Sequence, residues 1–213
     1  PLLVKRGFRG PIYTNAACGD LLPILWRDTA DLGLREVERI NRRREPDDPV
    51  ATPLYELDDV ERALKLVRAL RYDTKYEPLP GVSLILRDAG HILGSSSVLL
   101  ECSDEGVQRT IVFSGDLGQY DSPILLDPYP FEQADLVIME STYGDRLHRD
   151  REATLAEFGE IIAAADASRG NLIIPAFAIG RSQEVLYLLG LHYDAWQLCD
   201  WQVFLDSPMA IEA

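Results

Sequence analysis

Positive charge, cysteine, histidine and long apolar runs are all scarce in this sequence, and each scarcity removes a class of explanation. Twenty-one Lys and Arg stand against 35 Asp and Glu, a formal net charge of −14 over 213 residues. Nucleic-acid binding through the whole surface is therefore excluded, because phosphate binding needs a basic field. Metal ions or a local basic patch could still supply positive charge for a polyanion. The three cysteines, Cys18, Cys102 and Cys199, are far apart and form no Cys-x-x-Cys pair. That excludes a disulfide framework and a cysteine zinc knuckle, and makes a reducing cytoplasm the simplest compartment. No run approaches the ~18 apolar residues of a membrane span, so no membrane partner is expected. The sequence starts at Pro1 rather than Met, and the expectation is a piece of something longer.

What is present is a core-forming composition, 46% apolar and 26% charged, long enough for one sizeable domain or one and part of a second. Its organising stretch is Thr110 to Gly118. An apolar, β-branched run to Phe113 reads as a buried strand and ends in Asp116, held between Gly115 and Gly118. Two further runs end similarly. Val82 to Arg87 leads into Asp88-Ala89-Gly90-His91, and Leu136 to Met139 leads into Glu140-Ser141-Thr142-Tyr143-Gly144-Asp145. His91, Asp116 and Glu140 should thus leave three strands at their C-terminal ends, the rim where layered α/β folds place ligands. If Ser97 to Cys102 and Thr110 to Phe113 form an antiparallel hairpin, the His91–Ser97 turn lies beside Asp116.

Around this centre the pattern is helical at both ends. Leu2 to Val4 reads as the close of a helix, with Lys5-Arg6-Gly7 as its cationic last turn and stop, and Phe8 to Tyr13, broken by Gly10-Pro11, as a short strand entry. A helix capped by Thr14 or Asn15 is expected to about Ala30, with Pro23 as a kink or boundary. A separate polar helix follows from Glu36, ending in Arg42-Arg43-Arg44, which reads as a solvated end or a phosphate-contacting patch. Glu45 to Pro49 is a linker. Asp58 or Asp59 should cap an amphipathic helix carrying Val60, Ala63, Leu64, Val67 and Leu70 on one face. After Glu140 the expectation is helix (Arg151 to Ala165), strand (Leu172 to Pro175), helix (Ser182 to Leu189) and strand (Val203 to Leu205), a parallel α/β unit.

An imidazole and a carboxylate at one rim suit zinc, and a carboxylate can bridge two ions. Two ligands are too few for a tight site, and the remaining histidines are His148 and His192. Each residue alone also has a plainer reading: His91 as a turn residue, Asp116 as turn chemistry, Glu140 as a cap or ion-pair partner.

The motif wording goes further. Asp88-Ala89-Gly90-His91-Ile92-Leu93-Gly94-Ser95, Phe113-Ser114-Gly115-Asp116-Leu117-Gly118 and Glu140-Ser141-Thr142-Tyr143-Gly144-Asp145-Arg146 resemble, in order and spacing, the metallo-β-lactamase-fold nucleases that carry a β-CASP domain. Pro175 to Glu184 and Leu205 to Ala210 are similar to early β-CASP segments. The resemblance implies a partial αββα metallo-β-lactamase sandwich over residues 1–147, followed by the start of a Rossmann-like β-CASP domain over 148–213. It implies zinc-dependent hydrolysis of RNA, endonucleolytic with an exonucleolytic mode left open, and two Zn2+ ions per intact site. His91 would be a zinc ligand, Asp116 the carboxylate bridging both ions, and Glu140 the acidic residue that orients a general-acid histidine. The family's His-x-His-x-Asp-His signature would lie before Pro1 and its later histidines beyond Ala213, so the 213 residues alone are expected to be inactive and poorly stable.

The turn Gly180-Arg181-Ser182 opens a helix, and Arg181 and Ser182 could hold a substrate phosphate; Ser182 as a simple cap is the alternative. Single-stranded RNA is the implied substrate, and a homodimer is left open. Two other readings stand beside the nuclease: a non-catalytic RNA-processing scaffold, and a metallo-β-lactamase-fold hydrolase of a small ester or thioester.

Overall fold

In a computed structural model the chain is a mixed α/β protein, described over residues 1–213 except for the side chain of Asp104. A short helix α1 (Leu2–Lys5) leads into strand β1 (Ile12–Asn15) and then a long helix α2 (Ala16–Arg43). Asn15 caps α2 by accepting from the Cys18 N–H at 2.8 Å. The expected break does not occur. Pro23 lies inside α2, where its missing N–H costs one hydrogen bond, and the helix continues through Gly33 to the Arg42-Arg43 end.

Helix α3 (Leu57–Leu64) starts earlier than expected, in a capping box between Glu56 and Asp59, and it also stops earlier. The Leu66 N–H turns back to the Ala63 carbonyl at 3.0 Å. Val67 and Leu70, expected on the helix face, instead belong to strand β2 (Val67–Leu70), which pairs in parallel with β1 from Ile12↔Val67 to Asn15↔Leu70. Val60 and Ala63 keep the buried face of the helix.

The main sheet has five strands: β3 (Tyr76–Leu79), β4 (Val82–Asp88), β5 (Ser96–Asp104), β6 (Val107–Phe113) and β7 (Leu136–Ile138), in that spatial order. β4, β5 and β6 are successively antiparallel, and β7 joins β6 in parallel. The β5–β6 hairpin forms as expected. Glu105 and Gly106, both at positive φ (46° and 82°), close it as a two-residue turn whose twist matches the strands. One face of the sheet pairs Leu84 with Leu100 and Leu86 with Val98, and packs them with Leu70, Tyr72 and Tyr76.

Beyond the sheet come helices α4 (Arg151–Ala167), α5 (Arg181–Leu191) and α6 (Pro208–Glu212). Trp196 packs edge-on against Phe158 of α4 and stacks on His192 just after α5, at 5.1 and 4.4 Å between ring centres. The strands expected at Leu172–Pro175 and Val203–Leu205 are absent, because no neighbouring strand offers them a ladder; Ile173 is 85% and Phe204 81% exposed. The accessible surface is 15210 Å², whereas a compact monomer of this mass has on the order of 9,900 Å² by the usual scaling. Large apolar side chains are among those exposed, including Phe177 and Leu147.

Candidate active site

Because β5 runs opposite to β4 and β6, and β7 runs with β6, the C-terminal ends of β4, β6 and β7 share one rim. His91, Asp116 and Glu140 follow those three ends, as the sequence predicts. The loops that carry them are locked together through backbone. The Gly118 N–H donates to the Ala89 carbonyl at 2.8 Å. A Cβ on Gly118 would sit 1.7 Å from the Gly90 carbonyl oxygen, so only glycine allows this approach. On the other side, the buried Ser97 hydroxyl donates to the Ser114 carbonyl at 2.6 Å and ties β5 to the start of the Asp116 loop.

The His91 turn is held from below. The His91 and Ile92 N–H groups both donate to Ser95 Oγ, at 3.0 and 3.3 Å. Gly94 sits so close to the start of α2 that an added Cβ would lie 2.6 Å from the Cys18 nitrogen. The amide of Asn15 bridges this junction, donating to the Gly94 carbonyl at 2.5 Å and Ser96 Oγ at 2.8 Å.

Glu140 is fastened to the same loops. Its carboxylate accepts from the Leu117 N–H at 2.6 Å, and its own N–H donates to Ser114 Oγ at 3.2 Å. The Leu117 N–H, then the Thr142 hydroxyl, hold the Glu140 carboxyl below the usual carboxylate range; burial opposes them and His91 adds a smaller attraction. Folding therefore binds the ionised form better than the unfolded chain does. The resulting stability is present above the unfolded carboxyl pKa of about 4.3 and is lost as pH falls through the lower folded value. Glu140→Gln keeps an acceptor for Leu117 but loses the charge. It should be less stable than wild type at pH 7, with the gap closing in acid when urea midpoints are compared across pH. A gap that stays constant down to strongly acidic pH would contradict this.

His91 and Asp116 differ from Glu140 in being exposed, with no hydrogen bond from either side chain among the described residues. An imidazole and a carboxylate, both unengaged, match the donor chemistry of zinc. Their number does not make a complete site: among the described residues no three His, Cys, Asp or Glu side chains cluster as a metal-binding set.

His148 lies two residues beyond the Glu140–Arg146 motif. It lines a 370 Å³ cleft together with Leu117, Gly118, Tyr120, Met139 and Glu140. Its ring stacks on Tyr143, whose backbone has φ 58°, and such a geometry is not visible in residue spacing. His192 lies instead in the aromatic cluster with Trp196.

At the α5 turn, Gly180 rather than Ser182 is the cap residue, so the simple-cap alternative does not hold. The Ser182 hydroxyl is buried and donates to the Phe177 carbonyl at 2.7 Å. Arg181 pairs with Glu184 at 2.7 Å. Both side chains are thus engaged within their own turn. The turn itself leans on the His91 loop, since a Cβ on Gly180 would lie 2.5 Å from the Ile92 Cγ2.

No protein-family model matches the chain. Among curated proteins it is 38% identical to a ribonuclease of Thermus thermophilus, over 99% of this chain and 43% of the relative. It is 33% identical to the transcription termination factor FttA of Methanosarcina mazei, over 97% of this chain and 31% of the relative. An RNase J-like protein of Methanocaldococcus jannaschii matches at 29% identity, over 93% of this chain and 42% of the relative. The chain therefore spans less than half the length of the curated relatives it matches here.

Proposed function

We infer that this chain belongs to the RNA nucleases of the metallo-β-lactamase fold with a β-CASP domain, the family its motifs resemble and its ribonuclease relatives represent, and that the parent protein hydrolyses phosphodiester bonds of single-stranded RNA. The observation that carries this is the shared rim: three strand ends bring His91, Asp116 and Glu140 together on loops that interlock through Gly118 and Gly90. In this reading residues 1–147 are part of an αββα sandwich, and 148–213 open the β-CASP domain.

His91 and Asp116 would hold zinc, with further ligands from elsewhere in the protein. The zinc held there would supply Lewis acidity toward the phosphate and a water of lowered pKa, about 7. Such ions would also give an acidic protein a local positive charge for a polyanionic substrate. The chain's own residues do the positioning. Both candidate ligands stand on short loops whose backbone cannot separate while Gly118 rests on Gly90. Glu140, a carboxylate ionised at neutral pH whose pKa the Leu117 N–H lowers further, is a hydrogen-bond acceptor and not a proton donor. Its role is to orient an imidazole that delivers the proton to the leaving oxygen, which makes it a positioning residue. Arg181, exposed at 59% beside its Glu184 partner, is the candidate for contact with a phosphate further along the strand.

The test uses the full-length gene product and a single-stranded RNA. Cleavage that stops with chelator and returns with added zinc is the expected result. Chelator-resistant cleavage would remove zinc from the account, and a folded, zinc-treated protein that binds RNA without cutting it would favour the scaffold reading.

A further inference from the structure

Beside Glu140, the chain builds an aromatic stack that neither core packing nor the zinc chemistry explains. Ser141 to Gly144 form a turn closed by the Gly144 N–H on the Ser141 carbonyl at 2.9 Å. It places Tyr143 at φ 58°, a conformation unfavourable for a side chain of this size. The Tyr143 ring nevertheless remains 45% exposed, so the strained backbone is not offset by burial of the ring. What the conformation achieves is a stack: the Tyr143 and His148 rings lie 3.8 Å apart at an interplanar angle of 29°. The Arg146 guanidinium carbon stands 5.0 Å from the Tyr143 ring centre. His148 forms part of the wall of the 370 Å³ cleft that Glu140 and Tyr120 also line, and Tyr120 is 64% exposed.

An exposed, pre-stacked pair of rings with an arginine at its edge is the usual platform for an unpaired base, whose π-face it meets without reading its identity. We propose that the His148 ring, backed by Tyr143 and shared with Tyr120 in the same cleft, stacks on the RNA base that flanks the scissile phosphate. This rests on the nuclease reading and adds to it the means by which the strand is held in register at Glu140. Stacking makes the subsite tolerant of sequence, and Arg146 supplies attraction for the adjoining backbone or ring face.

The test measures binding of the full-length gene product to a phosphorothioate-linked single-stranded oligoribonucleotide, and to versions in which one abasic nucleotide is walked along the strand. For wild type, one abasic position should lower affinity about tenfold, the scale of a single base–aromatic stack. His148→Ala should lower affinity for the intact strand by a similar factor and be insensitive to the abasic nucleotide at that position. His148→Phe, which restores a ring, should bind like wild type. If His148→Ala does not fold, Tyr120→Ala replaces it and must show the same insensitivity. The proposal is overturned if the alanine variants bind the intact strand as tightly as wild type, or if their loss is the same for intact and abasic strands. A folded wild type that binds no RNA overturns the nuclease reading itself, and this inference with it.

Discussion

Gly118→Ala should unfold the rim more than any other single methyl group added to this chain. The new Cβ would lie 1.7 Å from the Gly90 oxygen, 2.1 Å from its carbonyl carbon and 2.7 Å from the His91 nitrogen. All three are backbone atoms, so no side-chain rotation can relieve the contact. The Asp116 loop must withdraw from the His91 loop, losing the hydrogen bond from Gly118 to Ala89. A cost of about 3 kcal/mol or more is expected, at the upper end for overpacking. Cleavage in the full-length protein should fall by about 10²-fold or more, since misplacing reacting groups by an ångström costs that much. Gly33→Ala is the control: nothing lies within 4 Å of its Cβ inside α2, and a helical alanine there should add about 0.5–1 kcal/mol. Urea titrations of both variants decide the matter, and equal stabilities would show that the two loops do not pack as described.

The second large effect is expected at Asn15, 3% exposed at the start of α2. Its Oδ1 accepts from the Cys18 N–H while its amide donates to the Gly94 carbonyl and Ser96 Oγ. The same amide lies 3.1 Å from the Tyr72 hydroxyl, which itself donates to the Ser95 carbonyl. One side chain thus caps a helix and fixes the turn that presents His91. Asn15→Ala removes a cap, worth about 1 kcal/mol, and leaves buried acceptors unpaired at about 1–3 kcal/mol, so a loss of about 2–4 kcal/mol is expected. Asn15→Asp can still cap α2, but it has no hydrogens for Gly94 or Ser96 and should not rescue the loss. A chemical-denaturation loss below about 1 kcal/mol for the alanine variant would mean that the bridge from α2 to the His91 turn contributes little.

These two positions also mark where sequence reasoning reached and where it stopped. The rim was legible because it is encoded locally: three apolar runs each end in a glycine-bearing turn, and Glu105-Gly106 sets the hairpin that returns β6 alongside β5, so that β6 runs in the same direction as β4. Asn15 was legible as a cap but not as a bridge, since its partners Gly94 and Ser96 are remote in sequence. Val67 and Leu70 fit a helical face by spacing, and only the parallel partner β1 turns them into a strand. Leu172–Pro175 and Val203–Leu205 have strand composition without a partner, and composition alone does not make a ladder. The stack of Tyr143 on His148 depends on one positive φ, which no periodicity records.

The central claim is that His91 and Asp116 are metal ligands of an RNA-cutting site, and one paired measurement addresses it. Zinc content and cleavage of single-stranded RNA are determined on the same preparations of the full-length wild type and a His91→Ala, Asp116→Ala double variant. The account predicts about two zinc ions per chain and cleavage in the wild type. The folded double variant should have lost most of its metal and at least 10³-fold in rate, the scale on which removing charge stabilisation at a reacting centre acts. A double variant that keeps its zinc and cuts RNA as the wild type does would contradict it, and would place the active site away from this rim.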